Sequence, residues 1–467
     1  MSDLLSAPRG ELLKLVYDLI EENQTLKVRI SELQDQSFKL QEENRQLREI
    51  LKVKGKPDRP SFIKPSVKKK PKDLSLRKKR ERGFARRLDL PTRQEFHSYE
   101  VCPDCGGSLG KPSVAYKRQV IDLPQASFVV TEHVVFKRFC AHCQKRVFPK
   151  LNLQETTVGH HRFGLNVFTT IATLRERLRL PIRVIKLYFK TFYQLDLAEG
   201  EITEILHKAA SLAHLRYQEI LTSLKSSPFL CCDETGFRER GKNGYLWNIT
   251  TPNQQLILYR QSRGSKVVRE IIGKDGQDYE GVIVSDFYSA YNEHAGFHQR
   301  CWAHLLRDIR ELREDYPCHP PLNLWAKRIK AIYQEAKEYA GPDSSLPLGL
   351  QARERIQKET YFKEKLQAIC EPYPARASPM SPLSGRMMTF LPELFTFIRF
   401  PNIPSTNNLA ERTLRHYVVQ RKIFGGTRSA KGSQTKAILG SLFGTWNLQG
   451  LNPLREMRLL LARAPCQ

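Results

Sequence analysis

The 467-residue sequence lacks any uninterrupted apolar run of about 18 residues, the length that a membrane-spanning helix requires. Its first 30 residues carry acidic side chains throughout and no apolar core of a secretory signal, so we expect a cytoplasmic protein without a membrane partner. Cysteine is sparse, with ten residues in the chain, which excludes a disulfide-rich scaffold. These absences leave a globular protein long enough for about two to four domains.

Acidic residues are also in deficit. The chain has 49 Asp and Glu against 76 Lys and Arg, so its formal net charge is +27. Nearly half of this excess lies in residues 52–93, which hold 17 Lys and Arg against 4 Asp and Glu. A charge of this size indicates a polyanionic partner, of which nucleic acid is the commonest. Plain solubility is the alternative, but the clustering of the charge favours nucleic acid.

The N-terminal segment, residues 1–53, carries leucine at an unbroken spacing of seven. These leucines are Leu12, Leu19, Leu26, Leu33, Leu40 and Leu47. The positions between them complete the alternating spacing of a coiled-coil seam, and Asn23 and Asn44 there favour a parallel pair. We therefore predict a leucine zipper that forms a homodimer or a higher oligomer. One long helix that packs within its own chain is the alternative.

Residues 54–97 are predicted to form a basic flexible linker. Four prolines between residues 57 and 71 interrupt any helix, and the apolar periodicity disappears. Basic side chains here are candidates for contacts with DNA phosphates, which supply affinity without sequence information. The candidates are Lys68, Lys69, Lys70, Arg77, Lys78, Lys79 and Arg80. A solvated linker without a ligand is the alternative.

Two Cys-x-x-Cys pairs lie in residues 98–150, separated by 34 residues. The cysteines are Cys102, Cys105, Cys140 and Cys143. Each pair places two thiolates on one tight turn, and two such turns complete a tetrahedral structural Zn²⁺ site. Between the pairs, residues 127–138 alternate apolar and polar side chains, which predicts the β-hairpin of a zinc ribbon. A redox-active cysteine pair is the alternative.

Residues 151–227 show the apolar periodicity of several helices. Arginines between Arg175 and Arg183 are consistent with a helix-turn-helix that reads DNA. Ordinary helical packing explains the same pattern equally well, and the sequence does not separate the two.

Residues 228–467 are predicted to form a catalytic domain that opens with three strands, a helix and a fourth strand. The strands are expected at 229–235, 245–250, 255–261 and 281–286, with the helix at 265–273. This is the opening order of the ribonuclease H-like α/β fold, in which the first and fourth strands end side by side. Asp233 and Asp286 end those two strands. Their carboxylates are therefore candidates to face each other across a metal pair.

A third acid is predicted at Glu411, one turn into a helix capped by Thr406 or Asn407. Three carboxylates suit two Mg²⁺ or Mn²⁺ ions held about 3.5–4 Å apart, which clamp the attacking and leaving oxygens of a phosphodiester. The alternative for the first two acids is turn chemistry, because strands often end in Asp. Glu234 is expected to point to the opposite face of its strand from Asp233.

Three blocks of this domain resemble the insertion sequence 66 family of bacterial transposases. They are Asp-Glu-Thr at 233–235, Val-Ser-Asp-Phe-Tyr-Ser-Ala-Tyr at 284–291 and Asn-Asn-Leu-Ala-Glu-Arg-Thr-Leu-Arg at 407–415. The order of zipper, basic segment, paired cysteines and split catalytic domain is also similar to that family. The resemblance implies a D-D-E triad of Asp233, Asp286 and Glu411, in a bacterial protein associated with the nucleoid.

Other candidates lie near this triad. Cys301 and His304 form a Cys-x-x-His element that similar transposases also carry, either beside the scissile phosphate or packed at a helix start. Four basic residues follow Glu411 and are candidates for holding DNA, with a solvated helix face as the alternative. They are Arg412, Arg415, Arg421 and Lys422. Residues near 305–400 are predicted to be a helical insertion.

The sequence thus predicts a transposase that cuts DNA at the ends of its element and joins the freed 3′ hydroxyls to target DNA. Its partners would be DNA and a second copy of itself, and other proteins of the same element are further candidates. One alternative is a non-catalytic zipper and zinc-ribbon regulator derived from a transposase. Another is a ribonuclease H-like nuclease that cuts without joining.

Overall fold

The computed structural model describes residues 9–54, 90–121, 123, 126–150, 152–153, 156–159, 161–273, 279–292, 294, 296–340, 348–373 and 378–463. The seven predicted DNA contacts from Lys68 to Arg80 lie outside these residues. The chain divides into two compact units, one of residues 1–50 with 130–467 and one of residues 51–129. Within the described ranges, no helix is both long enough and apolar enough to cross a membrane.

One long helix, α1 (Arg9–Lys54), runs through the predicted zipper. Three of its seam side chains, Leu26, Ile30 and Leu33, are 51 to 54% exposed. Pairing with another helix would bury such a half-exposed apolar stripe. The helix is confirmed, and its pairing stays a prediction.

The first cysteine pair, in the unit of residues 51–129, lies on a tight turn. The backbone N–H of Cys102 donates to the carbonyl of Gly107 at 2.9 Å, and that of Gly106 donates back to the carbonyl of Cys102 at 2.8 Å. Gly106 has a φ of 69°, in the left-handed region that glycine adopts without strain. This turn gives the pair the geometry that was predicted for it.

The second cysteine pair lies on a hairpin of two short antiparallel strands, β1 (Arg138–Cys140) and β2 (Lys145–Val147). The longer hairpin predicted within residues 127–138 is wrong, because residues 127–137 contain no strand. Phe128, Val130 and Phe136 are 48 to 80% exposed there. Apolar side chains that find no common buried face cannot hold two strands together.

Four helices form the segment predicted to be helical. They are α2 (Leu165–Glu176), α3 (Ile182–Tyr193), α4 (Glu199–Leu212) and α5 (His214–Leu224). Phe168 and Ile205 are fully buried in the same core as side chains of the sheet. Arg175 turns inward, with its guanidinium carbon 3.7 Å from the ring centre of Phe424. DNA reading by these helices stays a prediction.

The central sheet follows, and its first four strands and helix occur in the predicted order. They are β3 (Phe229–Glu239), β4 (Lys242–Thr250), β5 (Gln255–Arg260), α6 (Ser265–Ile272) and β6 (Val282–Ser285). The predicted end of the first strand at residues 233–235 is wrong, because β3 stays paired with β4 as far as Glu239. The spatial order is β5-β4-β3-β6, extended by β7 (His298–Arg300), which the sequence analysis missed. β3 is antiparallel to β4 and parallel to β6, so the first and fourth strands are neighbours, as predicted.

The predicted insertion is helical. Its helices are α7 (Trp302–Asp315), α8 (Pro320–Tyr339), α9 (Leu348–Cys370), α10 (Ser381–Thr389), α11 (Leu391–Leu394) and α12 (Thr396–Arg399). They build a second core on the sheet, around the buried Trp302, Trp325 and Phe395. Successive residues of β3 serve the two cores in turn, since Leu230 belongs to the first and Cys231 to the second.

The chain then returns to the sheet through α13 (Asn408–Phe424) and the short strand β8 (Gly426–Thr427), which pairs with β3. α14 (Ala430–Leu448) and α15 (Pro453–Arg463) complete the first core. The start of α13 is held on β4 by Asn248, whose amide donates to the carbonyl of Ala410 at 3.1 Å and to the hydroxyl of Thr413 at 2.9 Å.

Candidate active site

Asp233 and Asp286 lie at one edge of the sheet. In the parallel register of β3 and β6, Cys231 lies opposite Val284. Asp233 comes two residues after Cys231, and Asp286 comes two residues after Val284. Both side chains are half-buried and locally anchored: Asp233 accepts the backbone N–H of Glu234 and Asp286 that of Tyr288, each at 2.9 Å. The two strands therefore deliver both carboxylates to the same place.

Glu234 points away from this edge, as the strand alternation predicts. Its side chain is 1% exposed and forms an ion pair with Arg263 at 2.7 Å. It also accepts a hydrogen bond from the hydroxyl of Tyr291 at 2.7 Å. Because its oxygens are engaged on the other face, Glu234 does not compete with Asp233 for a metal ion.

Glu411 reaches the site from the first turn of α13, one turn after Asn407, as predicted. Asn407 is buried, and its side-chain amide donates to the carbonyl of Cys232 at 2.7 Å. Its backbone N–H donates to Sγ of Cys301 at 3.1 Å. Asn407 thus joins the helix of Glu411 to the residue before Asp233, and the sequence analysis identified it only as a cap.

The electrostatics of the site indicate an excess of negative charge. The pKa of Asp233 is raised to about 7, first by burial and then by the neighbouring carboxylates of Glu234, Asp286 and Glu411. Oε1 of Glu411 is buried and has no hydrogen-bond partner among the residues that the structure describes. A divalent cation would relieve both the repulsion and the unmatched oxygen, and carboxylate oxygens are the donors that Mg²⁺ prefers.

Comparison with known proteins adds an independent observation. A family model described as "Transposase IS66 family" matches residues 160–435, which include all three acids and more than half of the chain. The chain belongs to this transposase family. A second model, the zinc-finger binding domain of transposase IS66, matches residues 100–144 and covers both cysteine pairs.

One relative of this IS66 transposase is the uncharacterized protein y4hP of Sinorhizobium fredii (strain NBRC 101917 / NGR234). It is 21% identical over 407 residues, which cover 78% of this chain and 70% of the relative. Its description gives no activity, so the family match carries the comparison.

In the zinc-finger region of the transposase, the pKa values of two cysteine thiols are lowered. Backbone N–H groups of Asp104 and Cys105 lower the pKa of Cys102. Those of Cys143 and His142 do the same for the pKa of Cys140. N–H groups that point at sulfur stabilise the thiolate, which is the form that binds zinc.

The four basic residues predicted after Glu411 have different surroundings in the transposase. Arg412, Arg415 and Lys422 are exposed on α13. Arg421 is half-buried, and its Nη1 donates to the carbonyl of Gly236 on β3 at 2.9 Å. Arg421 therefore positions α13 against β3. This hydrogen bond uses only Nη1 of the guanidinium.

A basic groove adjoins these residues. It has a volume of about 500 Å³ and lies between β3, β4 and the end of α13. Arg238, Arg421 and Lys422 line it together with Tyr245. Three cations and an aromatic ring beside the strand of Asp233 are suited to a nucleic-acid strand.

Proposed function

We propose that this protein is a D-D-E transposase whose catalytic residues are Asp233, Asp286 and Glu411. The observation that supports this most directly is the environment of Asp233 on β3, beside the parallel β6: its pKa rises to about 7 because of burial and because Glu234, Asp286 and Glu411 add negative charge. The strand order β5-β4-β3-β6-β7 with helices on both faces supports the predicted ribonuclease H-like fold.

The three carboxylates would hold two Mg²⁺ or Mn²⁺ ions, which activate the attacking oxygen and stabilise the leaving oxygen of an in-line displacement. Asp233 must give up its proton to act as a ligand, and its raised pKa makes that loss depend on the pH. Asn407 and Arg421 would hold α13 so that Glu411 lies close to Asp233 and Asp286.

Two reactions would use this site. In the first, a water oxygen bonds to the phosphorus at an element end, and the bond to the 3′ oxygen breaks to leave a 3′ hydroxyl. In the second, that hydroxyl bonds to a phosphorus of target DNA and displaces the 3′ oxygen of the target strand. Both need positioning and charge neutralisation more than covalent chemistry by the protein.

The rest of the chain would assemble and bind DNA. A parallel coiled coil of α1 would pair two protomers and so two element ends, which the exposed apolar seam supports. The four cysteines would hold one structural Zn²⁺. The linker lysines and arginines, with Arg412, Arg415 and Lys422, would contact phosphates.

The test incubates the purified full chain with Mg²⁺ and the DNA that flanks its gene, and maps new 3′ ends and joined products. Asp233→Asn and Glu411→Gln are expected to abolish both. The matched control is Asp196→Asn, because Asp196 is 68% exposed and pairs only loosely with Lys186 at 3.7 Å. Full strand transfer by Asp233→Asn would overturn the assignment.

The same assay separates the alternatives. Cutting without joined products would favour the nuclease. Specific DNA binding with neither cutting nor joining, by the wild-type chain in Mg²⁺ and in Mn²⁺, would favour the regulator.

A further inference from the structure

A second group of metal-ligating side chains lies where α7 and α13 begin. Cys301 directly precedes α7, and His304 lies in its first turn. The backbone N–H of Trp302 donates to the carbonyl of Ser405 at 3.1 Å, which holds this helix start beside the segment leading to Glu411. One ligand atom each from Cys301, His304 and Glu411 lie within 4.8 Å of one another.

Two atoms of this group are buried without a partner. Nδ1 of His304 and Oε1 of Glu411 make no hydrogen bond to any residue within the described ranges. They lie 3.8 Å apart, too far for a hydrogen bond with each other. Two ligands of a tetrahedral zinc ion stand about 3.4 Å apart, given zinc–ligand distances of about 2.1 Å. The gap therefore matches an ion between the two atoms, with a small adjustment.

The donor set is soft. One thiol, one imidazole and one carboxylate suit zinc-class cations, whereas Mg²⁺ avoids sulfur and nitrogen ligands. The thiol must lose its proton on binding. Sγ of Cys301 accepts the backbone N–H of Asn407 at 3.1 Å at the N-terminus of a 14-residue helix, which favours the thiolate, whereas burial outweighs this and raises the pKa of the thiol. The cation itself must therefore displace the proton, as metal ions do when they bind thiols.

We propose that Cys301, His304 and Glu411 form a binding site for a zinc-class divalent cation, separate from the paired cysteines. A consequence follows from Glu411, which the proposed catalytic set also uses. Occupation of the new site withdraws that carboxylate from the magnesium ions, so zinc inhibits the enzyme. This consequence rests on the proposed function, whereas the binding of the cation does not.

A purely structural role predicts something different. Cys301 would then serve only as an acceptor for the N–H of Asn407, and His304 would attract Glu411 only while it carries a proton. No cation would bind in that case.

The experiment measures metal content, in the absence of DNA, after the full chain is equilibrated with Zn²⁺ and freed of excess. Cys301→Ala and His304→Ala are each expected to hold one equivalent less than the wild type. Cys318→Ala is the matched control, because Cys318 is an exposed cysteine, and it should keep the full content. Replacement of zinc by Co²⁺ should give a thiolate charge-transfer band that Cys301→Ala reduces and Cys102→Ser does not eliminate.

The proposal is overturned if both variants bind as much zinc as Cys318→Ala, or if Cys102→Ser alone removes all bound metal. Circular dichroism checks that Cys301→Ala is folded, and His304→Ala, whose side chain is 27% exposed, provides a variant with less effect on packing. Because metal content is measured without substrate, failure of the proposed transposase activity leaves this test intact.

Inhibition is tested separately in the strand-transfer assay. Zinc added at a few equivalents per protomer, in excess Mg²⁺, should inhibit the wild type, and a chelator that prefers zinc should reverse it. Zinc binding without inhibition would retain the site and reject its regulatory consequence.

Discussion

The region around the sheet, residues 161–463, and the segments of residues 9–54 and 90–150 bury their side chains very differently. In the former, even charged groups are enclosed and matched, as in the pair of Lys436 with Glu176 at 2.5 Å, both at most 4% exposed. In the latter, large apolar side chains lie in the open, with Leu90 at 94% and Phe96 at 89% exposed. The first region builds nearly all of the buried apolar cores, whereas the second leaves most of its large apolar side chains exposed, the kind of surface that partners bury.

The prediction with the largest effect on assembly tests whether a second copy is one of those partners. Leu33→Asp puts a charge into the seam of α1, and burial of leucine from two copies contributes about 3 kcal/mol or more. We expect the association constant to fall at least about 100-fold, measured by analytical ultracentrifugation. Glu32→Gln, which changes an exposed side chain paired with Arg29, should leave association unchanged. Persistent dimers of Leu33→Asp would show that the chain associates elsewhere.

The next effect lies inside the sheet region. Glu176→Gln removes the buried partner of Lys436, and breaking such a pair costs about 3–5 kcal/mol. Urea unfolding should show this loss in the free energy of unfolding. Glu219→Gln is the control, since its pair with Arg216 is at least half exposed and should contribute less than about 1 kcal/mol. Equal costs for the two variants would mean that burial does not distinguish the pairs.

In the candidate active site, unlike the pair of Lys436 and Glu176, acids of like charge lie near one another. The stability of the protein should therefore depend on pH. The pKa of Asp233 is raised to about 7 from an ordinary 3.8, so the folded protein binds this proton more tightly than the unfolded chain. The stability that the proton contributes is complete below pH 3.8 and is lost as the pH rises through about 7.

Asp233→Asn should therefore stabilise the chelator-treated protein above pH 7, by at most about 4 kcal/mol. The gain should shrink as the pH falls towards 4, in urea unfolding measured across this range. Asp196→Asn should show no such trend. A gain that does not depend on pH would mean that the raised pKa of Asp233, which burial and the neighbouring carboxylates produce, is not its cause.

The smallest effect concerns the link between helix and strand. Asn407→Ala removes the hydrogen bond to the carbonyl of Cys232 and should cost about 1–3 kcal/mol of stability. Strand transfer should fall further than DNA binding, because Glu411 loses its anchor while the basic surface stays. The exposed neighbour Asn408 offers the control Asn408→Ala. Parallel losses of binding and transfer would indicate general damage instead of lost positioning.

Local patterns in the sequence were sufficient to predict the main strands and to select the three acids proposed for the site. Each strand reads as a short apolar run, and the runs of the first and fourth strands are followed by Asp233 and Asp286. β3 nevertheless continues past Asp233, because pairing with β4 extends it to Glu239. β7 was missed because its three residues, from His298 to Arg300, are polar and yet buried. Arg300 is enclosed by contacts with the carbonyl of Asp286 and with Asn292 and Glu393.

The other differences also depend on distant residues. Asn407 reads as a helix cap, but its amide contacts a carbonyl 175 residues away. The alternation in residues 127–138 reads as a hairpin, but no other surface covers its apolar side chains within the described ranges. Arg421 reads as a DNA contact, but one of its guanidinium nitrogens donates to the carbonyl of Gly236 on β3. A pattern along the chain cannot specify partners that lie far from it in the sequence.

The two ends of the helical insertion lie next to each other at the central sheet. The insertion departs after Cys301 and returns at Asn407, and the backbone N–H of Asn407 lies 3.1 Å from Sγ of Cys301. The insertion is therefore a loop whose two ends are in contact. Lengthening a loop already closed at its base adds little entropic cost, about 0.6 kcal/mol for each doubling. The helices can thus change in length at little entropic cost while Glu411 stays in register with the two aspartates, provided that the side chains that cover β3 and β6 are kept.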